Sequence, residues 1–391
     1  MQIGEVASFQ NGYAFKSKDF VQDGKYKTIK IKELKNGKVR FFNDSVSVNV
    51  DDERIVEKYI VEKGDVLFAL TGDPVNKNNP LSWVGRVSVY EDDQLALLNQ
   101  RVCKLVPNEE LNAKYIYYYF RAFNNFYALA SIAKGSASQA NISTKDIEAM
   151  EIALPSLIIQ NKIVSVLDSI EEKINQNNKI NKNLEQQAQA IYQQMFIDNA
   201  SSEWTKGTLS DMANITMGQS PSGSSYNEHG NGIIFFQGRA EFGFRFPTVR
   251  LYTTEPKRMA CANDTLMSVR APVGDLNVAH TDCCIGRGLA AIHSKNNHQS
   301  FVLYTMFSLK KQLGVFNGEG TVFGSINRNS LNEMPLVIPS NEKLEEFEVL
   351  VAPMDATIRN NYDEICRLEQ LRDTLLPKIM TGELDVSDID L

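Results

Sequence analysis

Long apolar runs are missing from this 391-residue chain. No stretch approaches the ~20 uninterrupted apolar residues of a membrane-spanning helix. The opening Met1-Gln2-Ile3-Gly4-Glu5 lacks a charged start followed by an apolar stretch, so no signal peptide is expected. Cysteine is scarce. Cys103, Cys261, Cys283, Cys284 and Cys366 are odd in number and scattered, which suits reduced thiols in a cytoplasm better than a disulfide framework. Histidine is scarcer still. His280-Thr281-Asp282-Cys283-Cys284, even with Cys261, lacks the usual ligand spacing of zinc, and no metal is expected. No Gly-x-x-x-x-Gly-Lys-Ser/Thr loop exists for a nucleotide. Asn79-Pro80-Leu81-Ser82 matches the amino-methyltransferase motif poorly, and no carboxylate pair can be singled out for hydrolysis. The expectation is a protein without catalysis of its own.

Net positive charge is also missing. The total is −7, but its distribution matters more. Residues 339–391 carry 5 basic and 13 acidic side chains, whereas residues 1–154 carry 20 of each and residues 201–338 carry 12 and 10. One cluster holds Lys16, Lys18, Lys25, Lys27, Lys30, Lys32, Lys35, Lys38 and Arg40. Local potential decides whether a phosphate backbone is attracted. A solvated lysine-rich surface explains the same cluster equally well.

What the chain does have is a repeat. Ile152-Ala153-Leu154-Pro155-Ser156 recurs as Leu336-Val337-Ile338-Pro339-Ser340, 184 residues later. Ile3-Gly4-Glu5-Val6-Ala7 resembles Leu209-Ser210-Asp211-Met212-Ala213, and Gly64-Asp65-Val66-Leu67-Phe68 resembles Asn263-Asp264-Thr265-Leu266-Met267. Between these landmarks the offset drifts. The order is variable block, helix, variable block, helix, with segments at 1–154, 155–200, 201–338 and 339–391.

No Pro or Gly stands between Pro155 and Gly207, which predicts a long helix. Its seam steps by three and four through Leu167, Ile170, Ile174, Asn177, Leu184 and Ile191. The second copy offers Ile358, Asn361, Ile365, Leu368 and Leu375. Forty helical residues span about 60 Å, too long for burial in one domain, so the two seams are expected to pair as an antiparallel coiled coil with a pseudo-two-fold axis. Asn177 and Asn361 occupy that seam, where a buried Asn pair can fix register. Pro353 is expected to split off a short leading helix, leaving the second long helix to start at Met354.

The two blocks read as α+β. Strands are expected at Asp65 to Leu70, Gly85 to Tyr90, Val102 to Val106, Ile233 to Gln237 and Leu289 to His293. Helices are expected at Asn112 to Ala130 and Gln299 to Leu313. Met217-Gly218-Gln219-Ser220-Pro221-Ser222-Gly223-Ser224-Ser225-Tyr226, followed by Gln237-Gly238-Arg239, is polar and Gly-rich. Gly admits close backbone approach, while Arg and Gln are the side chains that read guanine and adenine edges.

Together these features resemble the specificity subunit of a type I restriction–modification system. Leu375-Leu376-Pro377-Lys378-Ile379-Met380-Thr381-Gly382-Glu383-Leu384 resembles that family's ending, and Pro155-Ser156-Leu157-Ile158-Ile159-Gln160 its proline-led helical region. Leu98-Asn99-Gln100-Arg101-Val102, Val269-Arg270-Ala271-Pro272-Val273-Gly274-Asp275 and Ile285-Gly286-Arg287-Gly288 resemble landmarks of its recognition domains. The resemblance implies two α+β target-recognition domains, each reading half of a split site in double-stranded DNA. It also implies two methyltransferase subunits and motor–nuclease subunits as partners. S-adenosylmethionine, ATP and Mg would belong to those partners, none to this chain. The candidate DNA contacts are Lys16, Lys77, Asn78, Arg101, Lys134 and Ser136 in the first domain. In the second they are Gln219, Ser220, Tyr226, Gln237, Arg239 and Arg270. Arg101 and Arg270 could instead brace their own loops. The competing readings are a recognition module of another restriction class, a coiled-coil adaptor that binds only proteins, and an enzyme.

Overall fold

The computed structural model describes residues 1–318 and 324–387. The chain forms two compact units. One comprises Met1–Ile174 together with the segment from Cys366, and the other comprises Asn175–Ile365. Both boundaries fall inside long helices, so each long helix is shared between the units.

The first unit is built on two large sheets, with a smaller three-stranded one beside them. One is ordered Ala7–Asn11, Val102–Pro107, Val66–Ala69, Val87–Val89, Lys38–Val39, Leu34–Lys35. The other is ordered Phe20–Val21, Ser47–Val48, Tyr26–Ile29, Ala96–Leu98, Ile60–Val61. Val66–Ala69 is buried at all four positions. Side chains alternate across a strand. Val66 and Phe68 therefore enter one apolar cluster, while Leu67 and Ala69 enter another. Each large side chain so buried stabilises by ~1.5–3 kcal/mol.

The second unit repeats this topology. Ala213–Met217, Leu289–Ser294, Thr265–Ser268 and Leu276–Val278 stand in the order of the first four strands above. Tyr226–Asn227, Leu251–Thr253, Ile233–Phe236, Cys283–Ile285 and Met259–Ala260 reproduce the second sheet. Even the direction is kept, since Ala96–Leu98 runs parallel to Tyr26–Ile29 and Cys283–Ile285 parallel to Ile233–Phe236. Leu266 and Met267 divide between two apolar layers, as Leu67 and Phe68 do.

The helix expected over Asn112 to Ala130 is two, Ala113–Arg121 and Phe123–Ser131. Ala122 is extended between them, and the turn lets Phe126 stack 6.0 Å from Trp83. The helix expected over Gln299 to Leu313 likewise divides into Gln299–Ser308 and Lys310–Leu313.

The long helices are Leu157–Tyr192, continued by the π-helical turn Gln193–Asp198, and Asn341–Met380. Both start after a Pro-Ser pair, and Gln160 N and Leu344 N donate to the Ser156 and Ser340 carbonyls. Within each unit the two helices run antiparallel. In the first unit, Arg372 meets Glu171 at 2.9 Å. In the second, Asn177 meets Glu364, Asn181 meets Asn361, and Tyr192 lies 5.9 Å from Phe347, so one number rises as the other falls. Leu167, Ile170, Ile174, Asn177, Ile358 and Ile365 are buried. Leu184, Ile191, Asn361, Leu368 and Leu375 are half-buried, and beyond Ile191 and Leu375 the buried positions are Tyr192 and Leu376.

Two expectations about the helices fail. Pro353 does not break the second helix, which runs through it from Asn341. Pro353 is exposed and the Val349 one turn back is 75% exposed, so the missing hydrogen bond falls on the solvent side, where water can satisfy the carbonyl. Val351 and Ile358 keep the apolar face continuous past it. Nor do Asn177 and Asn361 pair with each other. Asn177 donates to Glu364 at 2.7 Å and Asn361 donates to Asn181 at 2.8 Å. The antiparallel register puts each Asn one turn away from the other's partner.

Candidate nucleic-acid interface

In both units the loops that carry candidate contacts grow from one point of the frame. A three-residue link joins the parallel strand of the second sheet to a strand of the first. It is Asn99-Gln100-Arg101 in the first unit and Gly286-Arg287-Gly288 in the second. Asn99 N donates to Ile29 O at 3.1 Å, and Gly286 N donates to Phe236 O at 2.8 Å. A glycine packs against each link. A Cβ on Gly12 would collide with the Asn99 carbonyl, and one on Gly218 with the Gly286 carbonyl. The next residues repeat a bond, Tyr13 N to Leu98 O at 2.9 Å and Gln219 N to Ile285 O at 3.0 Å. Glycine is needed at both positions because backbone meets backbone.

Around the second link the structure gathers Gln219, Ser220 and Gln237. Gln219 and Gln237 are exposed. Ser220 accepts from Arg287 N at 3.3 Å and from Arg287 Nε at 3.4 Å. A Cβ on Gly288 would lie 3.2 Å from the Gln237 carbonyl. Arg239 stands apart, in an ion pair with Asp275, which Lys310 also approaches at 3.8 Å. Tyr226 faces its own domain. Its hydroxyl donates to Pro221 O at 3.0 Å and its ring lies 4.8 Å from Phe235. Arg270 is exposed, on a segment that bridges to Ser325.

In the first unit Leu70 ties three loops. Its N–H donates to Arg101 O at 2.9 Å, and its carbonyl accepts from Ile142 N at 3.0 Å. Lys134–Ser136 pairs with Gln139–Asn141, which pairs with Thr71–Gly72. Thr71 Oγ1 donates to Asn141 Oδ1 at 2.9 Å. The chain then continues into the exposed loop with Lys77 and Asn78, whose Lys77 carbonyl accepts from Trp83 Nε1 at 2.8 Å. Arg101, Lys134, Ser136, Lys77 and Asn78 thus share one end of the unit. Lys134 is 85% exposed, with Asp146 at 3.8 Å, and Ser136 meets Ser138 at 3.1 Å.

The lysine cluster is only partly available. Lys32 pairs with Asp44 at 3.0 Å and Lys38 with Glu91 at 2.9 Å. Lys35 lies over the Phe42 ring and Lys25 over the Tyr26 ring. Lys30 sits 3.5 Å from the Phe20 centroid, and burial pushes its ammonium below the ordinary lysine range. Lys16 is exposed; its backbone N–H donates to the Asp19 carboxylate and its carbonyl accepts from Asp19 N, both at 2.9 Å.

Each domain is fastened to the long helices by a tyrosine. Tyr118 donates to Asp168 at 2.7 Å, where Lys114 also sits at 2.6 Å. Tyr304 donates to Asp355 at 2.8 Å. The second unit adds Arg245, almost fully buried, at 3.0 Å from Asp355, 3.1 Å from Glu185 and 3.1 Å from the Tyr304 hydroxyl.

The type I restriction modification DNA specificity domain matches this chain twice, over residues 1–186 and 201–365. The chain belongs to that family. It is a type I restriction–modification DNA specificity subunit with two recognition domains. It is 29% identical over 381 residues to the protein assigned as the MjaX type I restriction enzyme specificity subunit of Methanocaldococcus jannaschii, covering 92% of this chain and 88% of that one. It is 23% identical to the MjaIX specificity subunit of the same organism, covering 99% and 96%. The crystal structure of an M. genitalium type I S subunit shares the fold, with TM-score 0.62 at 17% identity, covering 97% of this chain and 95% of that one.

Among the described residues of the specificity subunit no cluster of His, Cys, Asp and Glu could hold a metal, and no helix is long and apolar enough to cross a membrane. Gln100 and Arg287, which are not among the candidates read from the sequence, stand exposed at the middle of the two links. The signal was present, since Leu98 to Val102 and Ile285 to Leu289 share an offset of 187, but only the strand pairing shows that the two links are one structural position. Also outside those candidates are Glu33 and Glu241, buried acids whose carbonyls accept from Arg40 N and Thr248 N at 2.8 Å each and which hold the following loop in each domain.

Proposed function

We propose that this specificity subunit reads a bipartite site in double-stranded DNA, one half per domain, and performs no chemistry itself. The observation that carries the reading is one sheet topology built twice with different exposed loop side chains. Lys and Arg position each domain on phosphate, and a few polar side chains read base edges. Lys16, Lys77, Asn78, Arg101, Lys134 and Ser136 serve the first half-site. Gln219, Ser220, Gln237 and Arg270 serve the second, with Arg239 and Tyr226 shaping its loops. The paired long helices set the unspecified gap. Requiring both halves at one spacing multiplies discrimination.

Two methyltransferase subunits dock on this frame and methylate adenine with S-adenosylmethionine. Motor–nuclease subunits bring ATP and Mg, and the complex acts in the cytoplasm. The test is to map methylated adenines in a genome expressing the chain with its methyltransferase partners. A two-part motif with a fixed gap is expected. A continuous motif, or methyl transfer by the purified chain alone, would contradict the reading.

A further inference from the structure

We infer that residues 100 and 287 are one specificity-determining position used twice, with Gln100 selecting an adenine in one half-site and Arg287 a guanine in the other. The inference rests on the bipartite reading above and adds a base to each half. The two residues are structurally equivalent. Each is the middle of the link that leaves the parallel strand, Ala96–Leu98 or Cys283–Ile285, and joins the strand at Val102 or Leu289. Each link is pinned on both sides, at Asn99 N or Gly286 N and by the glycine packed beneath it.

The middle residue is itself held by its backbone. Gln100 N donates to Tyr13 O at 3.0 Å, and Arg287 N donates to Ser220 Oγ at 3.3 Å. Both side chains are exposed. Arg287 spends only Nε on Ser220, at 3.4 Å, and no described residue takes the two terminal nitrogens of its fork. A rigid backbone under an uncommitted side chain is what precise reading requires. A residue that merely closed the link would need no planar, two-pronged group.

The difference between the copies supplies the chemistry. Gln presents one donor and one acceptor, the pattern that matches adenine N7 and N6. Arg presents two donors, the pattern that matches guanine N7 and O6. A phosphate could accept from either side chain, but it would leave the Gln100 carbonyl without a donor and would not distinguish one copy's base from the other's. The neighbouring position shows no such pairing. Arg101 corresponds to Gly288, where the Gln237–Gly238 backbone comes close.

The test uses the full chain with its methyltransferase partners and maps methylated sites genome-wide for wild type, Arg287→Gln, Gln100→Arg and Arg287→Lys. Arg287→Gln is expected to replace a guanine preference by adenine at one position of one half, and Gln100→Arg to do the reverse in the other half. Arg287→Lys keeps the charge but loses the fork, so methylation persists with preference at that position relaxed roughly ten- to hundred-fold. An unchanged motif, or a change in both halves, would overturn the assignment. If a variant abolishes methylation, binding of its complex to duplexes carrying each base at each motif position decides. Loss confined to one position supports the assignment, and uniform loss overturns it. A wild-type complex without a two-part motif would remove the reading beneath it instead.

Discussion

The two recognition domains share a frame and differ in how charge is fixed on it. In the first, cations are held at the surface, with Lys30, Lys25 and Lys35 over aromatic rings and Lys32 and Lys38 against carboxylates. In the second, the decisive cation is inside, where Arg245 joins Glu185, Asp355 and Tyr304 beside the long helices. The corresponding fastening of the first domain is Tyr118 and Lys114 on Asp168, where the tyrosine is buried but the cation, Lys114, is 32% exposed. A duplicated fold can therefore keep its backbone bonds while the groups that secure it to the helices diverge.

That contrast can be broken experimentally. Arg245→Met should have the largest effect, because it removes the buried cation that the half-buried Glu185 and Asp355 carboxylates share. A loss of about 3–5 kcal/mol in thermal or denaturant unfolding is expected. Tyr118→Phe in the first domain removes one hydrogen bond to a carboxylate that Lys114 still serves. The expected loss is about 1.5–3 kcal/mol, since the bond is to a charged group. If Tyr118→Phe cost more than Arg245→Met, the contrast would be reversed.

Asn361→Ala should cost less, about 1 kcal/mol, because its bond to Asn181 is a neutral one. Smallest is a pH effect confined to the second domain. Burial holds the Glu348 carboxyl above its ordinary 4.5. The folded state therefore binds that proton more tightly than the unfolded state. Its contribution is complete below 4.5 and is lost as pH rises through the higher folded value. Glu348→Gln should flatten that part of the stability–pH curve while still accepting from Phe301 N. A parallel curve for the variant would place the dependence elsewhere.

The sequence showed the duplication because apolar periodicity survives where residues meet a core. Strands such as Val66–Ala69 and Leu289–Ser294, and seam positions Leu167, Ile174, Ile358 and Ile365, were legible for that reason. Pro353 misled because a proline's effect depends on which helix face it occupies, and that face is set by the partner. The pairing of Asn177 with Glu364 could not be read, since register is a property of two segments together. The loops were hardest. Gln219, Gln237 and Arg287 come together only through strand pairings dozens of residues apart, and the packing of the Tyr226 ring on Phe235 is likewise set by such a pairing.

The most direct test replaces residues 201–338 with the matching block of another family member and maps methylated adenines for both chains with the same methyltransferase. The account predicts that one half of the motif changes while the other half is preserved. Simultaneous change of both halves would contradict independent readers on a duplicated frame.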